Sequence, residues 1–155
     1  MAYVQWLWND SATMEAVGGT HKLCNDAARR WFAKVVDPGG PSHCYFLIYD
    51  ADDKPIGEVS SHRMDLQTRV AEFNIKVQAS HRGRGYGSEA LRVFFKHYFL
   101  VLEARGIDDP LALENLQGRK ILEDFGFVQD LSVKDAHMMR LSRERYLDLH
   151  SVEEG

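Results

Sequence analysis

The order of signals along the chain predicts an α+β fold, and three observations carry that prediction. Three strand-like runs, His43 to Tyr49, Ile56 to His62 and Val70 to Val77, are separated by turn-rich connections and read as an antiparallel meander. A glycine-rich turn, Arg82-Gly83-Arg84-Gly85-Tyr86-Gly87-Ser88, then opens into a segment where Leu91, Phe94, Phe95, Tyr98 and Leu102 recur at helical spacing. A short strand start, a capped helix and a closing hairpin follow. The order is therefore β-β-β-loop-α-β-α-β-β, within a single domain spanning residues 1–155.

The bulk composition fits a soluble domain with a real core, at 45% hydrophobic and 27% charged residues. A formal charge of −4 argues against a nucleic-acid partner and is compatible with a cationic substrate. Cys24 and Cys44 make no disulfide framework in a chain of this length. His21 with Cys24, and His43 with Cys44, read as scattered structural residues, so no metal is expected. With neither a signal-type N-terminus nor an apolar run of about 18 residues, no membrane partner is expected and the cytoplasm is the default location.

Taken in order, residues 1–9 bring Trp6 and Trp8, and Asn9-Asp10-Ser11 offers an N-cap for a short helix that ends at Gly18-Gly19. A second helix starts near Asn25 or Asp26 and puts Ala28, Trp31, Phe32 and Val35 on one face. Asp37-Pro38-Gly39-Gly40-Pro41 stops it. Asp50 to Pro55 is turn chemistry between the first two strands, and Met64 to Arg69 is a polar connection to the third. The helix after the glycine turn runs from about Ser88 to Ala104 and ends at Gly106. Asp109-Pro110 begins the next strand. Asn115 caps a helix whose shared face carries Gly118, Ile121, Leu122 and Phe125, with Gly126 after its last turn. Phe127 onward and Ala136 to Leu141 form the closing hairpin, and Ser142 to Glu154 is a last helix or a charged tail.

A strand, a glycine-rich turn and a helix start together build an anion site. Glycine lets the backbone turn sharply and approach a ligand, and the first helical turn presents unpaired N–H groups at the positive end of the dipole. Arg82 and Arg84 are placed to add full charges, so the shape suits a diphosphate. Glycines at 83, 85 and 87 miss the dinucleotide spacing Gly-x-Gly-x-x-Gly, and no Gly-Lys-Ser/Thr of a Walker loop is present. A plain Arg-Gly turn, or an RNA-binding Arg-Gly segment, is the alternative, but the latter normally repeats in low-complexity sequence.

Arg82-x-x-Gly85-x-Gly87 fits the Gln/Arg-x-x-Gly-x-Gly/Ala signature of the GNAT family of N-acetyltransferases. A second stretch, Asn115 to Phe127, resembles that family's Asn-x-x-Ala-x-x-x-Tyr-x-x-x-Gly-Phe, with Asn115, Gly126 and Phe127 in register. Trp6-Leu7-Trp8-Asn9-Asp10 and Trp31-Phe32 resemble the opening of the branch that modifies ribosomal-protein N-termini and some aminoglycosides. The resemblance implies the GNAT fold: a three-layer arrangement of a mixed, mostly antiparallel central sheet with helices on both faces. Family members of this branch carry a strand before the Trp-Asn-Asp stretch. Here that strand is missing or truncated, and a second copy of the chain, as a homodimer, is one way to cover the edge.

The same resemblance implies acetyl transfer from acetyl-CoA to a primary amine of a small molecule, an aminoglycoside or a protein N-terminus. The alternative is a coenzyme-A-binding sensor or partner module that has lost catalysis. By resemblance, backbone at Val77 and Ala79 holds the pantetheine arm, and an N–H near Val77 polarises the thioester carbonyl. Amides of Arg82, Gly83, Arg84, Gly85, Tyr86, Gly87 and Ser88 hold the pyrophosphate. Asn115 orders the sulfur or a water, or serves only as a helix cap; Arg119 and Lys120 reach towards coenzyme A phosphates or are solvated. Glu72, on the strand entering the loop, is the first candidate base, against a solvated residue paired with a lysine or arginine. Glu58 and His62 share a face of the preceding strand and are candidates acting through a water. The family tyrosine placed to protonate the departing thiolate falls at Leu122, which has no proton to give.

Overall fold

The three runs of the meander become strands β1 (Cys44–Tyr49), β2 (Pro55–Asp65) and β3 (Val70–Val77). The computed structural model describes residues 1–37 and 39–150, so Pro38 and residues 151–154 of the expected tail lie outside the described residues. Ahead of the strands lie helices α1 (Ala2–Asn9), α2 (Ser11–Met14) and α3 (Asn25–Val35). After them come α4 (Tyr86–Lys96), β4 (Gly106–Leu111), α5 (Leu116–Phe125), β5 (Val128–Asp130), β6 (His137–Ser142) and α6 (Arg143–His150). The strands form a mixed sheet of order β1-β2-β3-β4-β6-β5. The β1–β2, β4–β6 and β5–β6 pairs are antiparallel, and β3–β4 is parallel. Among the described residues no strand precedes α1, and β1 is the sheet's edge.

The chain divides into two compact units, residues 1–62 with 74–92, and residues 63–73 with 93–155. In the first, Asp10 caps α2 by accepting from the Thr13 N–H, as the Asn-Asp-Ser sequence predicts. Gly18 takes the left-handed conformation after the short turn that follows, at φ 102°. Val4 and Leu7 on α1 are buried with Met14, Ala28, Ile48, Ile56 and Val59. Gly57 is required by close approach: a Cβ there would run into the Lys76 carbonyl oxygen and come within 3.2 Å of Val77 Cα.

The second unit is built on aromatic packing. Phe95 lies 5.4 Å from Phe73 and 5.5 Å from both Phe125 and Phe127, ring centre to ring centre. Phe99 stacks on Tyr146 of α6 at 4.7 Å, and the Tyr98 hydroxyl donates to the Gly106 carbonyl at 2.8 Å. Asn115 caps α5 by accepting from the Gly118 N–H at 2.9 Å, and Gly126 closes it at φ 101°. Gly118 has a steric reason too, since a Cβ there would press on the Asn115 amide at 2.7 Å.

Residues 2–9, to which the sequence pattern assigned no element, and two expectations, the extent of the helix after the glycine turn and the start of β4, are settled by the structure. Residues 2–9 are helical, because Val4 and Leu7 share a face that finds a core. The helix expected over 88–104 begins at Tyr86, leaves the α form after Lys96 for a π turn over His97–Val101, and stops before Ala104. Its end is set by Glu103 in the left-handed region, φ 51°, and by the Arg69 guanidinium donating to the carbonyls of Leu102 and Glu103, rather than by Gly106. Gly106 instead opens β4, three residues before the expected start. The ladder from β4 to β3 runs only to Asp108, so Pro110 needs no donor on that side.

Gly57→Ala is expected to destabilise the protein by at least about 2 kcal/mol, because the obstacle is backbone. Asn115→Ala costs about 1 kcal/mol through the lost cap. Urea unfolding of the two variants checks both the magnitudes and their order.

Candidate functional site

In the first unit, β3 ends at Val77 and a short 3-10 turn (Ala79–His81) leads into the glycine loop, which enters α4 at Tyr86. Gly83 and Gly85 sit at φ 73° and 85°, conformations that a side chain resists. The Glu89 N–H donates to the Gly85 carbonyl, so the amides of the first helical turn, up to Ser88, have no acceptor within the helix. Gly83, Arg84, Gly85 and Ser88 are exposed, whereas Tyr86 and Gly87 are partly covered. This is an anion-receptive helix start.

Arg82 has a structural task in this loop. Its guanidinium donates to the Val77 carbonyl at 3.0 Å and to the Thr13 carbonyl at 2.7 Å, fastening the loop to β3 and α2. Thr13, fully buried, completes the fastening: its hydroxyl accepts the Ala79 N–H at 3.0 Å and donates to Asp10. The Ala79 amide is thus engaged inside the protein. Arg84 stands exposed in the loop and carries its charge to solvent. Thr13 was absent from the sequence reading because a threonine inside a short helix carries no signal of a partner 66 residues away.

The same unit buries an ion pair. Glu58, 2% exposed, accepts the Lys76 ammonium at 2.8 Å and the Trp8 indole N–H at 2.8 Å on one oxygen, and the Tyr45 hydroxyl on the other. Lys76, 7% exposed, also donates to Asn74 at 3.0 Å and lies 5.1 Å from the centre of the Trp8 ring. Trp31 packs edge-on against Trp8 and Tyr45, with centroids 5.3 and 5.2 Å away. Of the two candidates on β2, Glu58 is therefore fully engaged, and His62 lies half-buried farther along the strand.

The second unit holds Glu72, Asn115 and Lys120. Glu72 is paired with Arg63 at 3.3 Å, the arrangement weighed against its role as a base. Asn115 caps α5, Lys120 is exposed, and Arg119 pairs with Glu123 at 2.7 Å. Leu122 is buried. One group here was not anticipated. Burial, with the Glu72 carboxylate adding to it, pushes the Asp109 carboxyl up to about 7. Its neighbour Asp108 is instead neutralised by Arg140 at 2.6 Å. Alternation along β4 turns the two aspartates to opposite faces, and both lie half-buried.

The sequence model of the acetyltransferase (GNAT) domain family matches residues 1–128. The chain belongs to the GNAT family. Among curated relatives, the ribosomal-protein-serine acetyltransferase of Escherichia coli is 28% identical over 94 residues, 61% of this chain and 52% of that protein. The spermidine N(1)-acetyltransferase of Vibrio cholerae is 28% identical over 85 residues, 55% of this chain and 49% of that protein. This GNAT chain thus aligns over about half the length of the curated relatives it matches. A solved spermidine N-acetyltransferase from Vibrio cholerae, in complex with CoA and spermine, shares the fold with a TM-score of 0.81 at 21% identity. That match covers 94% of this chain and 91% of the other. Among the described residues no helix is long and apolar enough to cross a membrane.

The Asp109 carboxyl makes stability depend on pH with a known sign. Between its ordinary value of 3.8 and about 7 the folded state keeps a proton that the unfolded state has lost. Stability therefore falls as pH rises through that window and levels off above it. Asp109→Asn is expected to remove the slope. In Glu72→Gln the Asp109 titration, followed by carboxyl NMR, should move down yet stay above the usual range, because burial is the larger cause.

Proposed function

We propose that this GNAT chain transfers the acetyl group of acetyl-CoA to a primary amine, as a single acetyl-CoA-binding domain over residues 1–155. The observation that carries the reading is the glycine loop: two left-handed glycines and the open first turn of α4, pinned to β3 and α2 by Arg82. The family assignment and the shared fold with an acetyltransferase that binds CoA support it.

In this reading the loop amides from Gly83 to Ser88 receive the pyrophosphate, with Arg84 adding charge. Arg82 acts on the loop's shape, and Thr13 acts through Ala79 and Arg82. Backbone at Val77 lies beside the pantetheine arm, and a nearby N–H polarises the thioester carbonyl, which withdraws charge from the carbon under attack. The amine must arrive neutral, or lose a proton on the way in. Glu72 is the base of first choice, with His62, Glu58 and Asp109 behind it. Asn115 and Lys120 stand as contacts to coenzyme A. Leu122 leaves the thiolate to depart unprotonated by that residue, which a leaving thiol of pKa about 8.5 tolerates. A sensor without catalysis rests on Leu122 alone and is not favoured. The open edge at β1, with Phe46 and Tyr49 39% and 52% exposed, suits a second copy of the chain, and the cytoplasm suits an acetyl-CoA-dependent enzyme.

Gly85→Asp is expected to weaken acetyl-CoA binding roughly a hundredfold, about 2.7 kcal/mol, by straining a left-handed position and repelling the phosphates. Unchanged affinity by calorimetry would remove the loop from the site. Glu72→Gln should lower turnover about a hundredfold with little change in acetyl-CoA affinity, the usual mark of a lost base. A coenzyme A release assay over a panel of amines reads this, and normal turnover would hand the role to another of the candidates.

A further inference from the structure

A nucleophilic serine needs a base beside its hydroxyl and a carboxylate that fixes the base's tautomer. The first unit places those three groups together where the glycine loop begins. The Ser80 hydroxyl lies 3.0 Å from His81 Nδ1, and His81 Nε2 lies 3.9 Å from Asp50 Oδ2. Ser80 is exposed, so a small substrate can reach its oxygen.

Each member is held by the fold. Asp50 accepts the N–H groups of Asp52 at 2.9 Å and Lys54 at 3.0 Å on Oδ1, which leaves Oδ2 for the imidazole. The Lys54 N–H first, and then that of Asp52, hold its carboxyl below the usual range, so Asp50 is an anion at neutral pH. The His81 ring is half-buried, and the Tyr86 ring lies 6.1 Å from it, centre to centre. The turn that carries Ser80 is closed by the His81 N–H donating to the Gln78 carbonyl at 2.8 Å. It is also tied to α2, through the Ala79 N–H on Thr13.

The charge on Asp50 decides which nitrogen of a neutral imidazole carries the hydrogen. An anion facing Nε2 favours the tautomer with its N–H there, and Nδ1 keeps a lone pair. The Ser80 hydroxyl then donates to Nδ1. The result is a Ser-His-Asp relay in which the two ring nitrogens exchange the roles they have in the serine-protease triad.

We propose that Ser80, His81 and Asp50 make a serine-type esterase site that cleaves small, activated acyl esters. Ser80 Oγ bonds to the acyl carbon while its proton passes to His81 Nδ1. The bond from that carbon to the leaving alkoxide breaks, and the alkoxide takes the proton from His81. Water then attacks acyl-Ser80, giving one proton to His81, which returns it to Ser80 Oγ as the free acid leaves. Asp50 is a positioning residue that acts through His81. The site uses neither an amine nor coenzyme A, so it goes beyond the acetyltransferase reading and is tested separately from it.

The test treats the full chain with a fluorophosphonate, which esterifies a nucleophilic serine with loss of fluoride, and with p-nitrophenyl acetate. The phosphonyl label is expected on Ser80, located by peptide mass spectrometry. Labelling and ester hydrolysis should both slow about a hundredfold in His81→Gln. They should slow at least about tenfold in Asp50→Asn, which keeps an acceptor for the turn amides but loses the charge. Nitrogen NMR of the His81 ring should find the hydrogen on Nε2 in wild type and a loss of that preference in Asp50→Asn, a change that a turn-capping role alone would not produce. A chain that takes no label on Ser80 overturns the proposal, as does equal labelling of wild type and either variant.

Discussion

The buried Glu58–Lys76 pair constrains the first unit more than any other single contact. Removing two charges from water costs several kcal/mol per ion, and their attraction returns that only when the remaining donors and acceptors are matched. Here they are matched by Trp8 from α1, Tyr45 from β1 and Asn74 from the same strand as Lys76. Each of those elements is therefore held in position by the pair and in turn makes the pair tolerable. The aromatic contacts of Trp31 with Trp8 and Tyr45 bring α3 into the same arrangement. A chain lacking either charge would leave the other buried and unpaired, a loss of about 3–5 kcal/mol, which is a large share of a small domain's stability.

From that anchored strand the loop inherits its position. Lys76 fixes the end of β3, and the Val77 carbonyl next to it receives Arg82, whose other nitrogen reaches back to Thr13. The loop is thus held in one arrangement by the fold itself, and its ordering cost falls on folding. This division explains why the motif's arginine spends its guanidinium on the Val77 and Thr13 carbonyls. An arginine spent on an anion would add charge, but the tie from the loop to β3 and α2 would then be lost.

Much of this was legible in the residues, for reasons that differ from element to element. The caps at Asp10, Asn115 and Gly126 were readable because capping is local: donor and acceptor lie within three or four positions. The meander and the loop were readable because period-two alternation and glycine punctuation are local too. The end of α4 was not, since it is set by Arg69, more than thirty residues earlier, and Gly106 offered a more obvious stop. The candidate site divides along the same line. The glycine loop is a contiguous string, whereas Glu58 with Lys76, or Thr13 with Ala79, become neighbours only when separate elements fold together. Glu72 recommends itself by its place on the strand, and nothing in the string shows Arg63 beside it.

Asp109 shows what such a non-local group costs and why that cost is informative. Its neighbour Asp108 satisfies its charge with Arg140, an arrangement that costs the fold little. Asp109 is instead covered, near the Glu72 carboxylate, and at neutral pH the fold works against its ionisation. An asparagine would fill nearly the same volume with no carboxyl for burial and the Glu72 charge to act on. Carboxyls poised near neutrality exchange protons readily with an amine or a thiol, and departures from the stable choice gather where proton transfer is needed. Asp109 thus joins Glu72 among the acid–base candidates of the second unit because burial and the Glu72 carboxylate raise its pKa, a criterion that no reading of motif spacing could have applied.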